Sequence, residues 1–183
     1  MAASPRVKGV AFRSLVRSLE TLKGAAAVRA AYSVMPSHVA SALQYGELVA
    51  TGWYPIEWYR AVLAAVVREA PARDIGSQAI RDDMNGPYRV LLRLLRPETL
   101  LSIAPKIFDR YYDTGQLVIH ETRRGYIRGT FEGCIGWDGN MWQEVVGSCL
   151  EVVHLAGGTN VRARTVAGGK DDDDTCEVEV FWS

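Results

Sequence analysis

The sequence predicts an α+β fold, with a helical N-terminal two thirds packed on a C-terminal antiparallel sheet. Helical spacing of apolar residues dominates up to residue 112. Alternating segments appear only after Gly115, in two pairs, and a long helical pattern separates the pairs. Strands that cluster after a run of helices favour this class over a parallel sheet. We therefore expect a single domain over residues 1–183, with one long helix between two hairpins.

The N-terminal half predicts one strand followed by helices. The short apolar segment 7–12 follows Pro5 and predicts the strand. Ser14 is the expected cap of the first helix, and Gly24, Pro36 and Pro55 mark helix limits further on. The expected helices cover residues 15–22, 25–33, 38–44, 56–70 and 74–83.

The segment from residue 85 onwards predicts a turn, two more helices and then the sheet. Asn85-Gly86-Pro87 is typical of a turn. Apolar residues at three-to-four spacing predict the helices, and Gly115 ends the second of them. The expected helices are 88–95, 98–112 and the long 138–156, and the expected strands are 116–122, 125–132, 161–167 and 176–182.

Composition argues against several functional classes. Lys plus Arg and Asp plus Glu both total 21, so the formal net charge is zero, and a nucleic-acid partner is not expected. The local cluster Arg123, Arg124 and Arg128 is interpreted as a solvated strand face. No apolar run is long enough for a membrane span, and residues 1–6 lack the apolar core of a signal peptide. The 3 cysteines are widely spaced, which is typical of reduced thiols in the cytoplasm.

We find no catalytic, metal or cofactor motif in the sequence, and therefore do not expect an enzyme. Gly168-Gly169-Lys170 lies between strands, so no helix follows it to hold a phosphate. The isolated His38, His120 and His154 lack the spacing of a helical zinc site. The acidic run 171–174 predicts a solvated hairpin tip, with weak calcium binding as the alternative.

The tryptophans leave two interpretations open. Trp137 and Trp142 bracket the start of the long helix, and Trp53-Tyr54 precedes Trp58-Tyr59. Core packing explains both groups. A pocket or a partner surface also explains them, because rigid amphipathic rings are enriched at such sites.

The C-terminal half, residues 95–183, resembles 4-vinyl reductase-type small-molecule-binding domains. The resemblance is carried by the YYDTG of residues 111–115, by Gly125 and Gly129 in the hairpin, by the long helix, and by GGKDDDDTCEVEV at 168–180. That fold is shared with haem-nitric-oxide (H-NOX) sensor domains and TRAPP-type trafficking subunits. The whole chain is also similar to a paralogous set of uncharacterised myxobacterial proteins.

The resemblance implies a scaffold without its cofactors. Metal-binding vinyl-reductase members have a Glu and a Cys before the final Cys, and here only Cys176 matches. H-NOX sensors have a haem-ligating His on a helix and a Tyr-x-Ser-x-Arg clamp, whereas the helix 98–112 contains no His. Neither zinc nor haem is therefore expected.

Two functional hypotheses follow. The first is a non-catalytic sensory domain that binds a small apolar or aromatic ligand between helices and sheet. Its candidate pocket residues are Leu100, Ile103, Ile107, Trp137 and Trp142. The second is a dimeric adaptor similar to the trafficking subunits, with Trp53 and Tyr54 as the partner surface. A homodimer or a protein partner is expected in either case.

Overall fold

The computed structural model describes residues 4–84 and 96–183, and there it has the predicted α+β architecture. The helices are α1 (Gly9–Lys23), α2 (Ala25–Val34), α3 (Ser37–Gln44), α4 (Ile56–Val66), α5 (Ala72–Asp83), α6 (Pro97–Tyr111) and α7 (Gly139–Leu155). The strands are β1 (Arg6–Lys8), β2 (Trp53–Pro55), β3 (Gln116–Arg123), β4 (Tyr126–Glu132), β5 (Arg162–Gly168) and β6 (Cys176–Phe181). The turn predicted at 85–87 and the helix predicted at 88–95 lie outside the described residues.

The C-terminal sheet confirms both predicted hairpins and the long helix between them. Its order is β3-β4-β6-β5, and every neighbouring pair is antiparallel. In β6 the residues Cys176, Val178 and Val180 are buried, while Glu177 and Glu179 alternate with them. This period of two buries one face of the sheet against the helices.

The opposite face of the sheet carries paired charges. Arg128 pairs with Glu177, and Arg164 Nη2 lies 2.6 Å from Glu179 Oε2. Arg123 Nε lies 2.9 Å from Glu121 Oε1. The basic cluster predicted as a strand face is thus interleaved with carboxylates.

The N-terminal strand is shorter than predicted, because the segment 7–12 is mostly helical. Strand β1 ends at Lys8, and Ala11, Phe12 and Leu15 then form the buried stripe of α1. A short apolar run does not distinguish a strand from a buried helical turn. Contact with the loop 49–52 fixes the boundary, since a Cβ at Gly9 would lie 2.0 Å from the Val49 carbonyl oxygen.

Helices α5 and α7 cross at glycines. A Cβ on Gly76 would lie 2.0 Å from the Glu144 carbonyl oxygen, and one on Gly147 would lie 2.1 Å from the Arg73 carbonyl oxygen. Ser77 Oγ donates to the Gly147 carbonyl at 2.9 Å. Gly76 therefore does more than interrupt a helical pattern: it allows two backbones to approach closely.

Two carboxylates cap the start of α7. Asp138, the predicted first residue of the long helix, accepts a hydrogen bond from Met141 N at 3.0 Å. Asp171 Oδ1 accepts a second from Gly139 N at 2.7 Å. The acidic run 171–174 is mostly exposed, as a hairpin tip should be. Asp171 thus also accepts a hydrogen bond from a backbone N–H in the first turn of α7 that has no partner within the helix.

Candidate functional site

A cavity of about 120 Å³ lies between the helices and the sheet, as bounded by the described residues. Helices α1, α5, α6 and α7 form most of its wall, and Leu117 of β3 and Phe131 of β4 close the side next to the sheet. Helix α6 contributes the largest share, through Leu100, Leu101, Ala104, Ile107, Phe108 and Tyr111. These positions repeat at three-to-four spacing, so one face of α6 lines the cavity.

The wall is mainly apolar, with a few polar groups on separate elements. Tyr59 comes from α4, Tyr112 follows α6, and Glu144 and Ser148 come from α7. Asp83 also lines the cavity, and its carboxylate pairs with Arg17. Among the described lining residues there is no Lys, Arg or His.

Glu144 is the most unusual of these groups, because its side chain is charged at neutral pH in most settings and here it is only 6% exposed. Its Oε1 accepts a hydrogen bond from Ser148 Oγ at 3.3 Å. Its Oε2 has no hydrogen-bond partner among the described residues. Burial raises the pKa of this carboxyl to about 7, and the neighbouring hydroxyls of Ser148 and Tyr112 only partly oppose the rise.

Two tyrosines complete the polar part of the wall. Tyr59 and Tyr112 are buried, and their rings meet edge to face with centroids 6.5 Å apart. Burial raises the pKa of both hydroxyls well above the usual value, and the charge of Glu144 adds to the rise. Both side chains are therefore neutral phenols that can donate or accept hydrogen bonds.

The predicted pocket residues fall in three different places. Leu100 and Ile107 line the cavity. Ile103 is 42% exposed and is not among the residues that line it. Trp137 and Trp142 are fully buried in an aromatic cluster beside the cavity, with ring centroids 4.5 Å apart. There Trp142 Nε1 donates to the Lys170 carbonyl at 3.1 Å, which ties α7 to the turn after β5.

The predicted partner-surface residues are both partly buried. Tyr54 OH donates to the Glu47 carbonyl at 3.2 Å and accepts from Val49 N at 2.7 Å, so it organises the preceding loop. Its ring stacks on Trp58 with centroids 6.2 Å apart. The Lys8 Nζ lies 4.4 Å from the centre of the Trp53 ring. These contacts give both residues a role within the chain.

Sequence reasoning missed Glu144 and Ser148. Met141, Glu144, Ser148 and Val152 follow one another at three-to-four spacing on α7, where the neighbouring stripe is apolar. The sequence signal for this site is a glutamate beside the apolar stripe of a core helix, because an acidic side chain is rarely buried unless it is paired.

The comparisons with known proteins agree on the fold. An oxygen-binding H-NOX domain related to soluble guanylate cyclases, solved in its oxygen complex, superposes with a TM-score of 0.66 at 14% identity, covering 96% of this chain and 95% of that chain. A variant of Tt H-NOX gives 0.69 at 14% identity, with 96% and 95% covered. The unliganded Fe(II) H-NOX protein from K. algicida gives 0.63 at 13% identity, with 96% of both chains covered.

These likenesses confirm the predicted H-NOX-like fold and, at such low identity, the fold alone. No family model and no curated protein sequence matches the chain. The resemblances to vinyl-reductase domains, to trafficking subunits and to the myxobacterial proteins therefore stay predictions.

The cavity does not fit the haem that an H-NOX-like fold implies. Its volume of about 120 Å³ is close to that of an engineered cavity holding benzene, and drug-sized ligands need several times more. No imidazole is among the described lining residues. Cys149 lines the cavity, but burial raises its thiol pKa to about 12, which disfavours the thiolate that a haem iron would need.

The described part of the chain also holds no cluster of metal-ligating side chains. No group of three His, Cys, Asp or Glu residues could hold a metal ion within residues 4–84 and 96–183. Cys176 is buried in β6 as a free thiol. In the same part of the chain, no helix is long and apolar enough to cross a membrane.

Proposed function

We propose that this protein is a small-molecule-binding domain of the sensory kind, acting without catalysis and without haem. The observation that carries the proposal is the cavity of about 120 Å³, with a mainly apolar wall and a buried carboxyl of which one oxygen has no partner within residues 4–84 and 96–183. Binding pockets combine an apolar lining with a few placed polar groups, and this wall does the same. The three free cysteines support a reducing compartment, and the cytoplasm is therefore the location we propose.

The fold neighbours support a sensory function. They include an oxygen-binding H-NOX domain and a structure that bears on the mechanism of H-NOX activation. In this chain the cavity touches α1, α5, α6 and α7, so a ligand there contacts several helices at once. A ligand that binds one arrangement of these helices better than another would shift their equilibrium, which is how a binding event becomes a signal.

Binding of benzene tests the proposal, because benzene is apolar and of the right size. At a benzene concentration ten times its Kd the native state gains about 1.4 kcal/mol, which raises Tm by about 3–6 °C for a chain of this size. Thermal unfolding followed by tryptophan fluorescence measures this shift. Binding is confirmed independently by benzene signals in ligand-observed NMR.

The variant Ala104→Leu fills the cavity and should abolish the shift. Ala104 lines the cavity on α6 and is only half-buried, so a longer side chain there is tolerated. Ala26→Leu makes the same change on the exposed side of α2 and serves as the control. If the wild type shows no benzene shift, or Ala104→Leu keeps the full shift, ligand binding in this cavity is refuted.

The adaptor hypothesis, with a homodimer or a protein partner, stays a prediction. Its proposed anchors Trp53 and Tyr54 are half-buried and engaged within the chain. Light scattering of the purified protein tests it directly.

A further inference from the structure

We infer that the ligand of this cavity is a small primary amine, bound as its ammonium ion by Oε2 of Glu144. The inference rests on the proposed binding function and names the class of ligand. It is drawn from three features of the wall, as far as the described residues form it: a buried carboxylate oxygen without a partner, the absence of a lining cation, and aromatic rings beside the carboxylate.

The unpartnered oxygen is the first step. Buried polar atoms in native proteins have hydrogen-bond partners, and exceptions point to a missing ligand, ion or water. Ser148 Oγ reaches only Oε1 of Glu144, and the same hydroxyl lies 3.2 Å from the Gly76 carbonyl. A hydroxyl has a single hydrogen, so even Oε1 shares its donor. A ligand with several N–H groups would satisfy both oxygens.

The charge around Glu144 is the second step. The titratable groups that line the cavity with it are Tyr59 from α4, Asp83 from α5, Tyr111 and Tyr112 at the end of α6, and Cys149 on α7. Strands β3 and β4 contribute only apolar side chains to the wall. Asp83 already pairs with Arg17, whereas Glu144 has no cation among the described residues. A ligand cation is the complement that the described part of the wall lacks.

The aromatic rings are the third step. Tyr59, Phe108 and Tyr112 all line the cavity, and aromatic faces attract ammonium ions. The same wall disfavours anions, since Glu144 is negatively charged when ionised and, unlike Asp83, is not paired with an arginine among the described residues. Ammonium is therefore preferred over alcohols, and alcohols over hydrocarbons of the same shape, because only the first two can donate a hydrogen bond to Oε2.

Three ligands with the same five-membered ring test the inference: cyclopentylamine, cyclopentanol and cyclopentane. Their affinities are measured at pH 8 by NMR titration of the protein. Charge-assisted hydrogen bonds are about twice as strong as neutral ones, so the amine should bind at least about tenfold more tightly than the alcohol. In Glu144→Gln this preference should vanish while cyclopentane binding is kept, and Glu57→Gln, which removes an exposed glutamate of α4, should behave as wild type.

A pH series gives a second readout that needs no variant. The pKa of about 7 for Glu144 means that the carboxyl must lose a proton to receive the ammonium ion below pH 7. Amine affinity should therefore fall about tenfold between pH 8 and pH 6, while cyclopentane affinity stays constant. This series decides the matter if Glu144→Gln does not fold, as checked by circular dichroism.

The outcomes separate the two proposals. If cyclopentane and cyclopentanol bind but the amine does not bind more tightly, the ammonium inference is overturned and the cavity remains a binding site. Equal amine affinity in wild type and in a folded Glu144→Gln overturns it as well. If none of the three ligands binds, the proposed function itself fails.

Discussion

The buried carboxyl of Glu144 makes the free energy of unfolding depend on pH, and Glu144→Gln should remove that dependence. Burial raises the folded-state pKa of this group to about 7 from an ordinary value of 4.5. The native state therefore holds the proton more tightly than the unfolded chain does. A raised pKa means that the contribution of this group is fully present below pH 4.5 and is lost as the pH rises through 7.

The size of the effect follows from the two pKa values. Relative to a glutamate of ordinary pKa, burial of Glu144 lowers the free energy of unfolding by about 3 kcal/mol at pH 8, where the native carboxyl is charged. At pH 5 it lowers it by about 1 kcal/mol, because the unfolded chain ionises while the native carboxyl stays protonated. The neutral glutamine has no such cost at either pH. It does bring its own penalty, because its amide N–H groups need acceptors in the cavity, but that penalty is independent of pH. Relative to wild type, the variant should gain about 2–3 kcal/mol between pH 5 and pH 8.

Urea unfolding followed by tryptophan fluorescence, at several pH values from 5 to 8, measures the difference. The five tryptophans provide the signal. Glu57→Gln removes a carboxyl from an exposed position of α4 and should give a curve parallel to wild type. If the Glu144→Gln curve is also parallel to wild type, Glu144 is not held in a dry site, and the reasoning about the cavity wall is refuted.

Two further predictions concern the helix crossing and the thiols. Gly147→Ala places a Cβ 2.1 Å from a carbonyl oxygen of α5, so it should lower the free energy of unfolding by about 1–3 kcal/mol despite the better helix propensity of alanine. The control Gly139→Ala, at the start of α7, should lower it far less. Equal losses for the two variants in urea unfolding would contradict the close crossing of the helices. Burial raises the pKa of Cys134 and Cys149 to about 12 and of Cys176 to about 11. Iodoacetamide at pH 8 should therefore label these thiols only when urea unfolds the protein, and mass spectrometry measures the labelling. Rapid labelling of the native protein would contradict the prediction.

The parts of the fold that depend on local patterns could be predicted from sequence. The alternation in 116–132 and 161–182 gave two hairpins, because strand period and turn residues are both local signals. The start of α1 could not be predicted, because residues 7–12 suit a strand and a helix equally. Only the contact between Gly9 and the loop 49–52 decides between them, and that contact is tertiary.

The cavity could be predicted only in part. The apolar stripe of α6 indicated Leu100 and Ile107, and both line the cavity. Trp137 and Trp142 lie beside the cavity and pack against each other, because large aromatic side chains serve a core as readily as a pocket. Glu144 could not be predicted as a site residue, because it belongs to no sequence motif and only its burial in the folded chain makes it unusual.

The position of Glu144 follows from the packing of the two helices that frame it. Gly76 faces the carbonyl oxygen of Glu144 at a distance that no side chain would allow, so α5 and α7 meet backbone to backbone at this point. Ser148, one turn further along α7, lies within hydrogen-bond distance of both Gly76 and the Glu144 carboxyl. The contact that holds the helices together therefore also fixes the backbone that carries the carboxyl and supplies its hydrogen-bond donor. In this chain a fold shared with H-NOX domains thus places a buried acid in the cavity wall, and under the proposed function the chemistry of that wall, more than the fold, selects the ligand.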